Sequence, residues 1–301
     1  MTSSPPSSSA FPTPHTILPA PPHTHTNTLI LLHGTSANGP SLSASLQNPN
    51  PPSPTPFLPS HPTTKLLFPT GRPHPTTVFQ GRETNAWFDI HSFQDRTLGD
   101  DSLVFRTGMR DSVRYLARLI KSEIEGLDGA GRLVLGGFSQ GCALGVVVLL
   151  SGELERCGVT EKGFGGFVGL SGWLPLWAHV APLLETQEGG GVAEGRVKVR
   201  RFLRRYLGLD EDEDGNGEGV ELGVGERDEL GTKWLDVPVF LGHGLEDEKV
   251  KYEWGQQMAD VLLALEMNVQ RKAYAGLAHW WCAEEMGDID EFLKGVFGKE
   301  R

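Results

Sequence analysis

Apolar, β-branched runs recur along this chain, and most end in small residues on which chemistry can be mounted. Thr28 to Leu32 is the first such run and leads into His33-Gly34-Thr35-Ser36-Ala37-Asn38-Gly39. Another resumes at Leu66. Leu133-Val134-Leu135 precedes Gly137-Phe138-Ser139-Gln140-Gly141, and Gly165 to Leu170 precedes a loop with Trp173-Leu174-Pro175-Leu176-Trp177. Val237 to Leu241 and Asn268 to Tyr274 complete the set. Such short runs bounded by turn residues read as buried strands. Between them lie helical patterns. Met109, Val113, Leu116, Ile120 and Ile124 recur at helical spacing behind Asp101, a candidate N-cap, and the stripe is core packing. Cys142 to Leu150 reads as a second, wholly apolar helix, and an amphipathic helix closes the chain. Strands alternating with helices predict an α/β fold: a mainly parallel twisted sheet with helices on both faces.

Composition sets the boundaries of that domain. The stretch to about Asn27 is rich in Ser, Thr and Pro and carries no Lys, Arg, Asp or Glu. It is expected to remain an unordered tail over 1–27, since it offers little apolar area to offset ordering entropy. It has neither the charged start and apolar segment of a secretory signal nor the arginines of a transit peptide. The domain is then expected over 28–301, with a Pro/Ser-rich loop from Asn48 to Pro62 and a flexible insertion over 185–233. The insertion joins a basic amphipathic run, Arg196 to Leu207, to the acidic, Gly-rich Asp210 to Glu221. Asp210, Asp212, Asp214, Gly215 and Glu221 fit a calcium-loop spacing. However, Gly217 occupies the apolar anchor position, and Gly219, Gly223 and Gly225 undermine an exit helix. A solvated linker without a metal is the expectation, with the basic cluster paired to the acidic run.

Charge and cysteines narrow the partners. A formal net charge of −11 argues against nucleic acid, whose phosphates would be repelled. Cys142, Cys157 and Cys282 are odd in number and show no metal spacing, so no disulfide framework is expected. No apolar run reaches the roughly 20 residues of a membrane span. The expected address is cytoplasmic, with at most transient membrane contact.

The chemistry centres on Ser139. Gly137-Phe138-Ser139-Gln140-Gly141 lies between a strand and a helix, as a G-x-S-x-G nucleophile elbow requires. A serine nucleophile needs a base, and the base needs an orienting acid, following in the order Ser, Asp or Glu, His. Glu246, Asp247 and Glu248 stand on the loop after Val237 to Leu241 and are the acid candidates. His279 stands on the loop after Asn268 to Tyr274 and is the candidate base. The backbone N–H groups of Thr35 and Gln140 are the candidate oxyanion donors.

These segments resemble the acyl-protein thioesterase/carboxylesterase branch of the α/β-hydrolases. The matching blocks are Leu31-Leu32-His33-Gly34, Ala86-Trp87-Phe88-Asp89-Ile90, Gly136 to Gly141, Leu170 to Pro175, His243 to Asp247 and Tyr274 to His279. The resemblance implies Ser139 as nucleophile, Asp247 as acid and His279 as base. It implies no cofactor, and hydrolysis of thioesters or oxygen esters on acylated proteins or small lipids. Protein depalmitoylation is the leading expectation, with a small-ester carboxylesterase or lysophospholipase as the alternative. A non-catalytic binding protein on the same fold is the distant one. Trp87, Trp173, Leu174 and Trp280 are the candidate substrate contacts, although Trp173 and Leu174 suit plain core equally well. The chain departs from the family at Trp280-Trp281, where small residues are usual. Two readings are open there: a narrowed entrance or acyl pocket, or packing of the last helix against the sheet.

Overall fold

The computed structural model describes residues 10–47, 61–128, 132–159, 163–185, 191–210 and 236–298. Nine strands and eight α-helices are found among them: β1 (His15–Ile17), β2 (Asn27–Leu32), α1 (Gly39–Gln47), β3 (Thr64–Phe68), β4 (Pro73–Thr76), β5 (Arg82–Asn85), α2 (Leu103–Glu125), β6 (Leu133–Phe138), α3 (Gln140–Leu150), α4 (Glu153–Arg156), β7 (Phe164–Leu170), α5 (Trp177–Val180), α6 (Val192–Leu207), β8 (Val239–Gly244), α7 (Tyr252–Ala264), β9 (Val269–Tyr274) and α8 (Ala283–Phe297). Seven strands form one sheet in the order β1-β3-β2-β6-β7-β8-β9, and β4 and β5 form a separate hairpin. Every neighbour in the large sheet is parallel except β1, which runs antiparallel to β3.

Strand composition explains the two-sided burial. β7 is buried at all seven positions, as a strand covered by helices on both faces must be. On one face, Met109, Val113, Leu116 and Ile120 of α2 pack with Ala143, Val146 and Val147 of α3 and with Leu262 of α7. On the other, Leu42 of α1 and Met286, Ile289, Phe292, Leu293 and Val296 of α8 cover Leu29, Val134, Val168 and Phe240. Each parallel strand thus delivers its carboxyl end to one edge of the sheet, where the elbow, the acid loop and the His loop all lie.

Three features differ from the sequence expectation. The tail expected to stay unordered to Asn27 instead supplies β1, pairing His15 with Phe68 and Ile17 with Leu66. An absence of charge is compatible with order when an apolar anchor is present. Here Phe11 stacks on Tyr115 at 4.0 Å between ring centroids, with the Arg72 guanidinium 4.8 Å from the Phe11 centroid. The cap of α2 is Ser102 rather than Asp101, its hydroxyl accepting from the Phe105 N–H at 3.1 Å. Within the expected insertion, the basic run forms α6, which buries Val199, Leu203 and Leu207. Arg200 bridges to Glu155 at 2.5 Å and Arg196 to Asp236 at 3.4 Å, while Arg204 reaches both Glu153 and Asp210. The calcium-type spacing beyond Asp210 lies outside the described residues.

Candidate active site

The elbow is built by two close approaches. A side chain at Gly137 would begin 2.3 Å from the Gly141 carbonyl carbon, and one at Gly141 would begin 2.4 Å from the Leu32 carbonyl oxygen. Only glycine permits α3 to turn this tightly back on β6 and β2. Ser139, between them, holds φ 55° and ψ −117°, a strained conformation for a residue with a Cβ. The surrounding bonds hold it there: its N–H donates to the Leu170 carbonyl at 2.8 Å, and its carbonyl accepts from the Ala143 N–H at 3.0 Å.

The hydroxyl so presented meets His279. Imidazole Nε2 lies 3.0 Å from Ser139 Oγ, and Nδ1 lies 2.7 Å from Asp247 Oδ2. Asp247 accepts from the Lys249 and Val250 N–H groups through Oδ1, each at 2.9 Å. His243 Nε2, donating to the Val250 carbonyl at 2.8 Å, stands 3.4 Å from Asp247 Oδ2. Burial alone raises the Asp247 carboxyl. The bonds from His243, His279 and the Val250 N–H outweigh it and hold the group well below the usual carboxylate range. Of the three acid candidates, Asp247 is buried against the imidazole, whereas Glu246 and Glu248 point to solvent.

The loop after β2 closes the site. His33 Nε2 accepts from the Gly71 N–H at 2.9 Å, which leaves Nδ1–H to donate to the Gly34 carbonyl at 2.7 Å. Burial lowers this imidazole to about 4 against the opposing Gly34 bond, so it stays neutral around pH 7. Gln140 begins α3, so its N–H has no intrahelical acceptor. Its side chain is committed elsewhere, accepting from the Trp87 N–H at 3.1 Å and donating to the Phe88 carbonyl at 2.7 Å. Among the described residues the Thr35 N–H has no backbone acceptor either.

The four candidate substrate contacts separate. Trp87 is 1% exposed, and its indole N–H donates to the His33 carbonyl at 2.9 Å, so it buttresses the loop and offers no surface to a ligand. Trp173 and Leu174 are core residues at 4% and 3% exposure. Trp173 meets Phe88 edge-on at 6.2 Å between ring centroids. Trp280 alone is open, at 38%, stacked on the buried Trp281. Of the two readings of that pair, helix packing holds for Trp281, which joins the layer under α8, while Trp280 faces out.

Sequence reasoning passed over Arg96. Its guanidinium lies over the rings of Trp173, Phe93 and Trp254 at 4.4, 5.3 and 5.5 Å, and Nη2 donates to the Lys249 carbonyl at 2.8 Å. Desolvation lowers it to about 10, though Asp247 attracts it. One cation thereby ties the acid loop to two other loops. Among the described residues no group of three or more His, Cys, Asp or Glu side chains is placed to hold a metal.

Comparison with known proteins agrees with this fold. The phospholipase/carboxylesterase family matches residues 14–186 and 228–297. Acyl-protein thioesterase 1 of Cryptococcus neoformans is 24% identical over 91% of this chain and 94% of its own. The Mycosarcoma maydis protein of the same name is 29% identical over 77% of this chain and 78% of its own. The crystal structure of Zea mays acyl-protein thioesterase 2 superposes with a TM-score of 0.62 at 25% identity, covering 95% of this chain and 99% of that one. The chain belongs to the phospholipase/carboxylesterase family of α/β-hydrolases and is a serine hydrolase.

Proposed function

We propose that this hydrolase cleaves acyl thioesters, or the corresponding oxygen esters, through Ser139, His279 and Asp247. The observation that carries the reading is the imidazole of His279 standing between Ser139 Oγ at 3.0 Å and Asp247 Oδ2 at 2.7 Å. His279 Nε2 takes the hydroxyl proton as Ser139 Oγ bonds to the acyl carbon. Asp247 holds Nδ1–H, orienting the ring and stabilising the imidazolium. The N–H groups of Thr35 and Gln140 donate to the developing oxyanion. The bond to the leaving sulfur or oxygen then breaks, and His279 returns its proton to that atom. Water, deprotonated by the same imidazole, attacks the acyl-enzyme and releases the acid and free Ser139.

Acylated proteins are the favoured substrates, because the similar proteins above are acyl-protein thioesterases. The cytoplasm suits this reading, since Cys142, Cys157 and Cys282 are free thiols. Among the described residues no helix is long and apolar enough to cross a membrane, and contact with one would be transient. A small-ester carboxylesterase is the second reading. It is favoured by the burial of Trp173 and Leu174, which leaves no open apolar wall at those positions. An acyl-chain series of thioesters and esters decides. Long-chain thioesterase activity predicts kcat/KM rising with each methylene accommodated, by up to about 0.8 kcal/mol each. A maximum at acetyl or butyryl selects the small-ester reading. No turnover of any ester contradicts both.

A further inference from the structure

The apolar residues named for the site fall into two core layers, one on each face of the sheet. Trp87, Phe88, Trp173 and Leu174 belong to the core layer under α2 and α3, whereas Phe138 and Trp281 belong to the layer under α8. His279 meets the second layer. Its ring is 4.8 Å from that of Phe138, and Phe138 in turn meets Trp281 and Trp280 edge-on at 5.4 and 5.8 Å. The two indoles stack at 4.0 Å with 22° between their planes. A chain of ring contacts therefore runs from the imidazole through Phe138 to the open Trp280.

In the proposed reaction His279 must deliver its proton to the leaving atom, which therefore stands within hydrogen-bond reach of Nε2. The ring contacts of His279 offer whatever that atom carries an apolar path, through Phe138 to Trp280. We propose that the Trp280-Trp281 pair is a subsite for the leaving group rather than for the acyl chain, and that it takes a flat apolar group borne by that alcohol or thiol, such as an aromatic side chain beside an acylated cysteine. An indole face favours a flat aromatic partner over a flexible alkyl chain, because stacking adds to simple area burial. The subsite rests on the hydrolase reading above, and its test keeps the two apart.

The acyl group is held constant as acetyl while the leaving group runs from ethanol through phenol to 2-naphthol. Single-turnover release of the alcohol reports acylation, and decay of the acyl-enzyme reports deacylation. Trp280→Ala is expected to lower the naphthyl-to-ethyl ratio of acylation rates by about tenfold, and Trp280→Phe to restore most of it. Deacylation, with the leaving group already gone, is expected to proceed alike in all three proteins. An equal loss across the series, or a change confined to deacylation, overturns the subsite. Should the wild type form no acyl-enzyme, the hydrolase reading fails, yet binding still decides the subsite. The affinity of Ser139→Ala for 2-naphthol, followed through tryptophan fluorescence, must then fall about tenfold on Trp280→Ala. Unchanged affinity, as expected of an indole that merely packs or meets a membrane surface, overturns it.

Discussion

A side chain at Gly34 would begin 3.2 Å from the Cβ of Ser139. The loop after β2 thus lies directly against the nucleophile, with the Thr35 N–H one residue on. Gly34→Ala must displace either the loop or the serine by a few tenths of an ångström. The oxyanion donors are then misaligned, and we expect kcat to fall by on the order of tenfold to a hundredfold with little change in KM. Steady-state kinetics on a short-chain ester checks this. A normal kcat would remove the loop from the oxyanion site.

Gly141→Ala is a stability test of the elbow. The added methyl meets the Leu32 carbonyl oxygen at 2.4 Å, and backbone cannot yield as a side-chain tip can. Urea unfolding is expected to show a loss of about 1–3 kcal/mol. Full stability would mean that α3 does not press on β2 as described.

Arg96→Met keeps the aliphatic stem among Trp173, Phe93 and Trp254 but removes the cation and its bond to the Lys249 carbonyl. The acid loop loses its tie, so Asp247 holds His279 less firmly. We expect kcat to drop on the order of tenfold, alongside a stability loss of about 1–2 kcal/mol. Arg96→Lys should recover the charge but only part of the activity, since an ammonium lacks the planar fork.

Glu285 gives a pH prediction. It is fully buried in the first turn of α8, and among the described residues neither carboxyl oxygen has a hydrogen-bond partner. Burial first, then Asp288, raises it from the ordinary 4.5 to about 8. Between those values the folded protein holds a proton that the unfolded chain has lost. Stability therefore falls as pH rises through that window, by up to about 1.4 kcal/mol per unit. Glu285→Gln should flatten this slope in denaturation between pH 5 and 8. An unchanged slope would mean that Glu285 is not the group responsible.

The elbow was legible in the sequence because its constraints are local: two glycines and a serine between a strand and a helix. Asp247 and His279 followed from their places after successive strands, and resemblance alone separated Asp247 from Glu246 and Glu248. Composition misled at the N-terminus, where Phe11 and the short His15–Ile17 strand outweigh an uncharged, Pro-rich setting. Residues whose partners are distant in the chain left no local signal. Arg96 meets Trp173 and Trp254, and Trp87 meets His33, only once the sheet has assembled. His33 and His243 did leave one trace, since the same His-Gly pair follows β2 directly and ends β8. In both, a buried ring braces a loop at the site.

Covalent labelling reaches the heart of the mechanism. A fluorophosphonate should modify the native protein at the Ser139 hydroxyl, identified by mass spectrometry of the labelled peptide. Labelling should vanish in Ser139→Ala and slow by orders of magnitude in His279→Gln, which keeps the fold but removes the base. Modification at another residue, or undiminished labelling of Ser139→Ala, would contradict the nucleophile assigned here.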